Sequence, residues 1–153
     1  MADLTESERS LARGVAQLTH PLPYASWETR GWWEGCGRGE LVLQRCTSCG
    51  QVQHKPRALC VKCLTDTIEH FVASGRGTIH TFTVTHQNIA PPFNAQLPYV
   101  FAYVELEEGP HVLTNIVGAE PDALRIGLAV VADYATSPRD DGEAFAVPRF
   151  RPA

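Results

Sequence analysis

Four cysteines within one short stretch have the types and spacing of a metal site. Cys46 and Cys49 form one Cys-x-x-Cys pair, Cys60 and Cys63 form a second, and ten residues separate the pairs. A Cys-x-x-Cys turn directs two sulfurs at one point, so two facing turns supply the tetrahedron of a closed structural zinc site. Gly50, directly after the first pair, suits a turn that requires a positive φ. The spacing predicts zinc, with iron in the same ligand set as the alternative.

Disulfides or redox motifs are the competing interpretation of these cysteines. Residues 1–8 are polar and acidic, unlike a secretory signal peptide, and no apolar run approaches the roughly 20 residues that cross a bilayer. We therefore expect a cytoplasmic chain with no membrane association, and reduced thiols there favour a metal over a disulfide. The fifth cysteine, Cys36, has no partner at this spacing and is expected to be a packing residue or a partly exposed thiol.

The side chains near the cysteines bear on the charge and the ligand set of a zinc centre. Lys55, Arg57 and Lys62 add positive charge, which stabilises thiolate sulfur around a zinc ion. His54 is an alternative ligand, but four thiolates are already available. A zinc ion with four thiolates has no open position and cannot generate hydroxide, which argues against a metal hydrolase.

The chain offers no local motif for catalysis. We find no nucleophile motif and no glycine-rich phosphate-binding loop in the sequence. His80 and His86 lie on or near one predicted strand, where even spacing places them on one face unless a bulge intervenes. They are candidates for the wall of a pocket, although exposed strand histidines are commoner. Glu105, Glu107 and Glu108 fit a solvated strand end and turn better than paired acids. We predict no catalytic residue and identify no cofactor-binding residue beyond the metal ligands.

The elements that must position the cysteines read as β structure. Residues 40–45 alternate as a strand that leads into the first pair, and residues 51–57 read as the return strand of a ribbon. Beyond Thr67 the chain is rich in β-branched and aromatic residues, and the glycines within 74–77 predict a bulge or barrel corner. Five further strands are predicted at 78–86, 99–106, 111–117, 128–134 and 145–150. A helical turn at 120–127, between the third and fourth of these, predicts the Greek-key barrel of an OB-fold.

The N-terminal part is expected to be helical and rich in tryptophan. Thr5 and Glu8 form a candidate capping box for a short helix. All three tryptophans follow between positions 27 and 33, where Gly31 weakens a helix. They are interpreted as core packing, with an anchor for a partner protein as the alternative. The predicted fold is mainly β, with a helical and Trp-rich segment at 1–38, a zinc ribbon at 39–68 and an OB-fold at 69–153.

The charge distribution bears on possible partners. The net charge is −4, and residues 71–153 carry five Lys or Arg against nine Asp or Glu. A protein that binds nucleic acid normally concentrates positive charge to displace counterions. Phe101 and Tyr103 are available for base stacking on an OB-fold, but the charge argues against that alternative.

Several motifs together resemble a known family of bacterial and archaeal proteins. These were long catalogued as a domain of unknown function, and they join an N-terminal helical segment, a rubredoxin-like zinc ribbon and an OB-fold. The matching motifs are Trp33, Gly39-Glu40-Leu41, Gln44-Arg45-Cys46, Cys49-Gly50, Cys60-x-x-Cys63, Ser74-Gly75-Arg76-Gly77, Pro98-Tyr99, Glu105-Leu106-x-Glu108-Gly109 and Arg125-Ile126-Gly127. The resemblance covers nearly the whole chain.

The resemblance implies work beside thiolase-like enzymes of acyl-CoA metabolism. Members of the family are subunits or fused domains of acyltransferases, of enoyl-CoA hydratases, and of aldolases that cleave side chains from steroid CoA thioesters. Catalytic groups are then expected mainly on the partner, and this chain resembles the stand-alone form. An autonomous acyl-CoA-binding protein is a further alternative, with Lys55, Arg57 or Arg76 as contacts to the phosphates of CoA.

Overall fold

The computed structural model describes residues 25–90, 93–138 and 144–153. The predicted N-terminal helix lies outside these ranges. One α-helix, α1, spans Arg30–Gly37, and 3₁₀ turns span Phe93–Gln96 and Pro121–Ala123. The strands are β1 (Val42–Cys46), β2 (Val52–Gln53), β3 (Ile68–Val72), β4 (Arg76–Thr85), β5 (Tyr99–Leu106), β6 (His111–Ile116), β7 (Ala129–Pro138) and β8 (Ala144–Pro152). Within the described ranges, no helix has the length and apolar character needed to span a membrane.

The strands form a ribbon sheet and a closed barrel, which confirms the predicted fold class. The ribbon has the order β2-β1-β3, with both pairs antiparallel. The barrel has the order β4-β5-β6-β8-β7 and closes where β4 pairs with β7. Among the described residues, the one parallel pairing of the barrel joins β6 to β8 through Ile116 and Phe150. The 3₁₀ turn at Pro121–Ala123 precedes β7, the fourth barrel strand, as the sequence predicted.

Alternation along the barrel strands builds the core. On β5 the side chains of Val100, Ala102, Val104 and Leu106 are all buried, as period-two patterning predicts. At the predicted glycine bend, φ is +73° at Gly75, directly before β4. A Cβ on Gly77 would overlap the carbonyl oxygen of Glu105, so β4 can approach β5 there only with glycine. The bulge lies further along β4, between Ile79 and Thr81.

The return strand of the ribbon is shorter than predicted. Of the predicted return strand at 51–57, only Val52 and Gln53 pair with β1. Beyond them the side-chain amide of Gln44 replaces the backbone ladder: its oxygen accepts from the Arg57 N–H at 2.8 Å, and its nitrogen donates to the Arg57 carbonyl at 3.1 Å. A primary amide offers one donor and one acceptor side by side, as a peptide group does, so it can pair with the loop.

The tryptophan segment contains a helix, as expected for residues 1–38, although Gly31 weakens it. α1 spans Gly31 because its buried side packs against the rest of the molecule, and such packing outweighs intrinsic propensity. Trp32 is 5% exposed and Cys36 is fully buried, both within the shared core, whereas Trp27 is 72% exposed. The packing interpretation therefore holds for Trp32, and Trp27 is left available to a partner.

Candidate metal centre

Each cysteine pair is held in its own backbone turn, and the two turns have the same hydrogen-bond pattern. In the first, the Gly50 N–H donates to the Cys46 carbonyl at 2.8 Å, with φ of +73° at Gly50, as predicted. In the second, the Leu64 N–H donates to the Cys60 carbonyl at 3.0 Å, with φ of +60° at Leu64. A side chain in this region costs roughly 1–2 kcal/mol, so leucine gave no sequence signal for the second turn.

The two turns bring four sulfurs to one point. The Sγ atoms of Cys46 and Cys63 lie 3.5 Å apart, those of Cys49 and Cys60 lie 3.6 Å apart, and all four lie within 4.8 Å of one another. Zinc–sulfur bonds of about 2.3 Å in a tetrahedron place sulfurs about 3.8 Å apart. The donor set therefore fits a zinc ion without rearrangement of the backbone.

Hydroxyl groups and charge also favour a bound dication. The Thr65 hydroxyl lowers the pKa of Cys46 to about 5 against the effect of burial, and it lowers the pKa of Cys63 as well. A backbone hydrogen bond from Gln51 favours the thiolate of Cys49, yet burial and the neighbouring sulfurs raise its pKa to about 12. Adjacent thiols cannot all ionise without a counter-charge, and a metal dication supplies it.

The residues predicted around the cysteines take distinct positions. Lys62 lies inside the second turn, and its backbone N–H donates to the Cys60 sulfur at 3.4 Å. Lys55 and Arg57 lie on the exposed loop between the turns. His54 lies outside the sulfur cluster, with its ring centroid 4.3 Å from that of Trp32. Burial, with the nearby charge of Lys55, lowers the pKa of His54 to about 4, which describes a packed neutral imidazole.

Cys36 is separate from the sulfur cluster. Its side chain is fully buried on α1, and burial raises the pKa of its thiol to about 12. Of the two expectations for this residue, packing is therefore the one that the structure confirms. Tyr134 of β7 packs against the same core, and burial raises the pKa of its phenol, with the nearby Cys36 and Glu40 acting in the same direction.

His80 and His86 do not line one wall as even spacing would require. The register of β4 against β5 shifts between Ile79 and Thr81, so His80 is the extra residue of a bulge and alternation breaks there. His80 instead lies beside Glu105 of β5 and His111 of β6, and all three are exposed. His111 carries no signal of its own in the sequence, because only the strand register places it opposite Glu105.

The remaining acidic and aromatic candidates lie on the barrel exterior. Glu107 is exposed, while Glu108 accepts a hydrogen bond from the Ser74 N–H at 2.6 Å and ties the β5–β6 turn to the start of the barrel. Glu108 is thus a structural acceptor and not a solvated turn residue as predicted. Phe101 and Tyr103 are 37% and 45% exposed on the outer face of β5.

Comparison with family models assigns both modules. The ChsH2 rubredoxin-like zinc ribbon domain matches residues 33–69, and the ChsH2 C-terminal OB-fold domain matches residues 72–135. The cysteine cluster lies inside the first match, so the centre is that of a zinc ribbon.

Known proteins match over most of the chain. A probable enoyl-CoA hydratase alpha subunit from Thermomonospora curvata is 38% identical over 136 residues, which are 87% of this chain but 40% of that protein. A DUF35 domain-containing scaffold protein from Methanocaldococcus jannaschii is 38% identical over 67% of this chain and 72% of its own length. Among solved structures, the Ltp2-ChsH2(DUF35) aldolase matches with a TM-score of 0.73 and 35% identity, covering 85% of this chain and 98% of that one.

Proposed function

This chain belongs to the DUF35 family of ChsH2-type zinc-ribbon and OB-fold proteins, and from that premise we propose that it is an accessory subunit of a thiolase-like acyl-CoA enzyme. The proposed reaction of the assembly is the cleavage of an acyl-CoA side chain, with a steroid CoA thioester as the specific case. The catalytic groups would lie mainly on the partner, in the reducing cytoplasm.

The likeness to the ChsH2 chain of the Ltp2-ChsH2 aldolase carries this proposal. It covers 98% of that chain at 35% identity, so it extends over both modules and their connection. The scaffold name of the Methanocaldococcus jannaschii relative, of which this chain covers 72%, supports a role in assembly. The hydratase relative supports acyl-CoA chemistry, although this chain spans only 40% of it.

We further propose Cys46, Cys49, Cys60 and Cys63 as the zinc ligands. Their sulfurs fill a tetrahedral set, which leaves zinc no position for water or substrate. Such an ion stabilises the fold of the ribbon and supplies no reactive group, which fits a subunit that braces a complex.

Exposed apolar side chains offer contacts to such a partner in three places. Trp27 precedes α1 and is 72% exposed. Val61 and Leu64, in the second cysteine turn, are 58% and 71% exposed. On the outer face of the barrel, Tyr103 and Leu113 are paired neighbours on β5 and β6, at 45% and 55% exposure. Trp and Tyr are enriched among the hot-spot residues of protein interfaces, so Trp27 and Tyr103 are the first candidates for such contacts.

Co-expression with a thiolase-like protein from the same organism tests the proposal. We expect the two chains to elute together in size-exclusion chromatography and to cleave a steroid CoA thioester only when combined. Separate elution, together with full activity of the thiolase-like enzyme alone, would contradict the proposal.

Three charged variants locate the contact: Trp27→Glu, Val61→Glu and Tyr103→Glu, each checked for zinc content and circular dichroism. We expect at least one of them to reduce co-elution about tenfold or more, as hot-spot residues do. Thr83→Glu, an exposed position on the same barrel face, is the matched control for added charge. Unchanged association of all three variants would exclude an apolar interface at these surfaces.

A further inference from the structure

Three side chains from three adjacent strands converge on the outer face of the barrel, as a group separate from the four cysteines. They are His80 on β4, Glu105 on β5 and His111 on β6. The Nδ1 of His80 and the Nε2 of His111 each lie 3.9 Å from Oε2 of Glu105. The two imidazole centroids lie 4.4 Å apart, and the three donor atoms all lie within 4.8 Å of one another.

The barrel backbone builds this convergence. Glu105 and His111 are direct partners in the antiparallel register of β5 and β6, so their side chains leave the same face side by side. His80 is the extra residue of the bulge between Ile79 and Thr81. A bulge redirects a side chain that regular pairing would place elsewhere, and here the redirected group is an imidazole.

Direct hydrogen bonding does not account for the arrangement. At 3.9 Å, both nitrogen–oxygen separations exceed the range of a hydrogen bond. An ion pair between Glu105 and either histidine forms only when that imidazole is protonated. A cation placed between the three groups would satisfy two nitrogen lone pairs and one carboxylate together.

The donor set matches a transition-metal dication in type and reach. Zinc takes histidine nitrogen and carboxylate oxygen at about 2.0–2.2 Å, which places neighbouring donors about 3.3–3.6 Å apart in a tetrahedron. The observed 3.9 Å separations are a few tenths of an ångström longer than that spacing. The side chains of His80, Glu105 and His111 are 53%, 52% and 44% exposed, so the core does not fix their rotamers.

We propose that His80, Glu105 and His111 form a second metal site, which binds one divalent transition-metal ion, zinc first. With three protein ligands the ion keeps an open position, in contrast to the closed set of four sulfurs. That position is available to water or to a donor atom from a partner chain. The proposal concerns the isolated chain and stands independently of the role as an accessory subunit.

Zinc titration of the purified chain tests the site. The protein is first loaded so that elemental analysis gives one zinc per chain, and zinc chloride is then added in a calorimeter. We expect one further equivalent to bind with micromolar affinity. Glu105→Gln and His111→Gln should each weaken this second event about tenfold or more, with the first zinc retained. His86→Gln, an exposed histidine outside the cluster, should leave the event unchanged.

Imidazole nitrogen resonances supply the second readout. On addition of zinc, the signals of His80 and His111 should shift together while that of His86 stays in place. Absence of a second binding event up to millimolar zinc would overturn the proposal. A second event of equal affinity in both cluster variants would overturn it too, because the ion would then bind elsewhere.

Discussion

Cys49 and Cys36 provide a matched test of what a thiol does in this fold. Cys49 belongs to the sulfur cluster, whereas Cys36 is packed in the core. We expect Cys49→Ser to lose zinc and unfold the ribbon, because structural zinc contributes on the order of 10 kcal/mol or more of apparent binding free energy. Cys36→Ala should keep one zinc per chain and lose only a small core group. Elemental analysis and circular dichroism measure both, and a folded zinc-free Cys49→Ser protein would contradict the structural role.

Burial of His54 makes stability depend on pH. Its pKa is about 4 in the folded chain, against about 6.5 when exposed, so between these values the unfolded chain binds a proton that the folded chain does not. Stability therefore falls as pH decreases through this window. From pH 7.5 to 5.5 the wild type should lose about 1 kcal/mol more than His54→Phe.

Urea unfolding at the two pH values measures that difference. Loss of zinc at acid pH affects both proteins, so only the difference between them reports on the imidazole. Equal losses in wild type and His54→Phe would show that His54 is hydrated in the folded state.

At the scale of residues, sequence reasoning succeeded where a residue type has one strong physical use. Paired cysteines have few other uses in a reducing environment, and glycine after a cysteine pair indicates a positive φ. Leu64 also has a positive φ, but leucine does not indicate one in the sequence, because the turn around Cys60 and Cys63 imposes this conformation. His111 was missed for a related reason: its position opposite Glu105 depends on pairing between strands.

Two glycines of α1 give opposite predictions for the same substitution. A Cβ on Gly31 would meet only His70 at 3.8 Å, which is ordinary contact, so Gly31→Ala should stabilise the chain by about 0.5–1 kcal/mol. A Cβ on Gly35 would lie 2.5 Å from Cγ2 of Val42 and 3.1 Å from the Glu40 carbonyl. Gly35→Ala should therefore destabilise the chain, by roughly 1–3 kcal/mol as overpacking does.

Thermal and urea unfolding of the two variants measure this contrast. Stabilisation by both would mean that α1 can move away from β1, and destabilisation by both would mean that Gly31 is less open than its surroundings indicate.

Among the elements, those defined by their own periodicity were predicted well. β5 alternates over its full length, and its bounds agree with the prediction. The bounds of α1 and β2 within their predicted segments were not predicted, because contacts with other elements determine them. α1 exists through packing against the barrel, and β2 ends early because Gln44 takes over pairing with the loop.

At the scale of the whole molecule, the ribbon and the barrel share one core. Trp32, Leu41 and Leu43 belong to the same buried cluster as Ile79 and Phe150 of the barrel. The sequence predicted the ribbon and the barrel as separate modules. Their shared core results from packing between them, which the sequence pattern of neither module indicates.

The shared core predicts how the molecule responds to zinc removal. The base of β1 is held by the barrel, whereas the cysteine turns beyond it depend on the metal. After treatment with a strong chelator, amide hydrogens at 46–67 should exchange rapidly, while those of β4 to β8 remain protected. Hydrogen exchange with mass spectrometry measures this pattern. Rapid exchange throughout the barrel would show instead that the metal supports the entire fold.

The loop between the cysteine turns is held through its main chain, and this has a consequence for its evolvability. Gln44 and Gln53 bond to the backbone of residues 57, 59 and 61, while the side chains at those positions point to solvent. Hydrogen bonds to backbone atoms do not depend on which side chain a residue carries. The side chains at 57, 59 and 61 can therefore vary while these hydrogen bonds stay in place, so relatives of this chain could present different surfaces to different partners at these three positions.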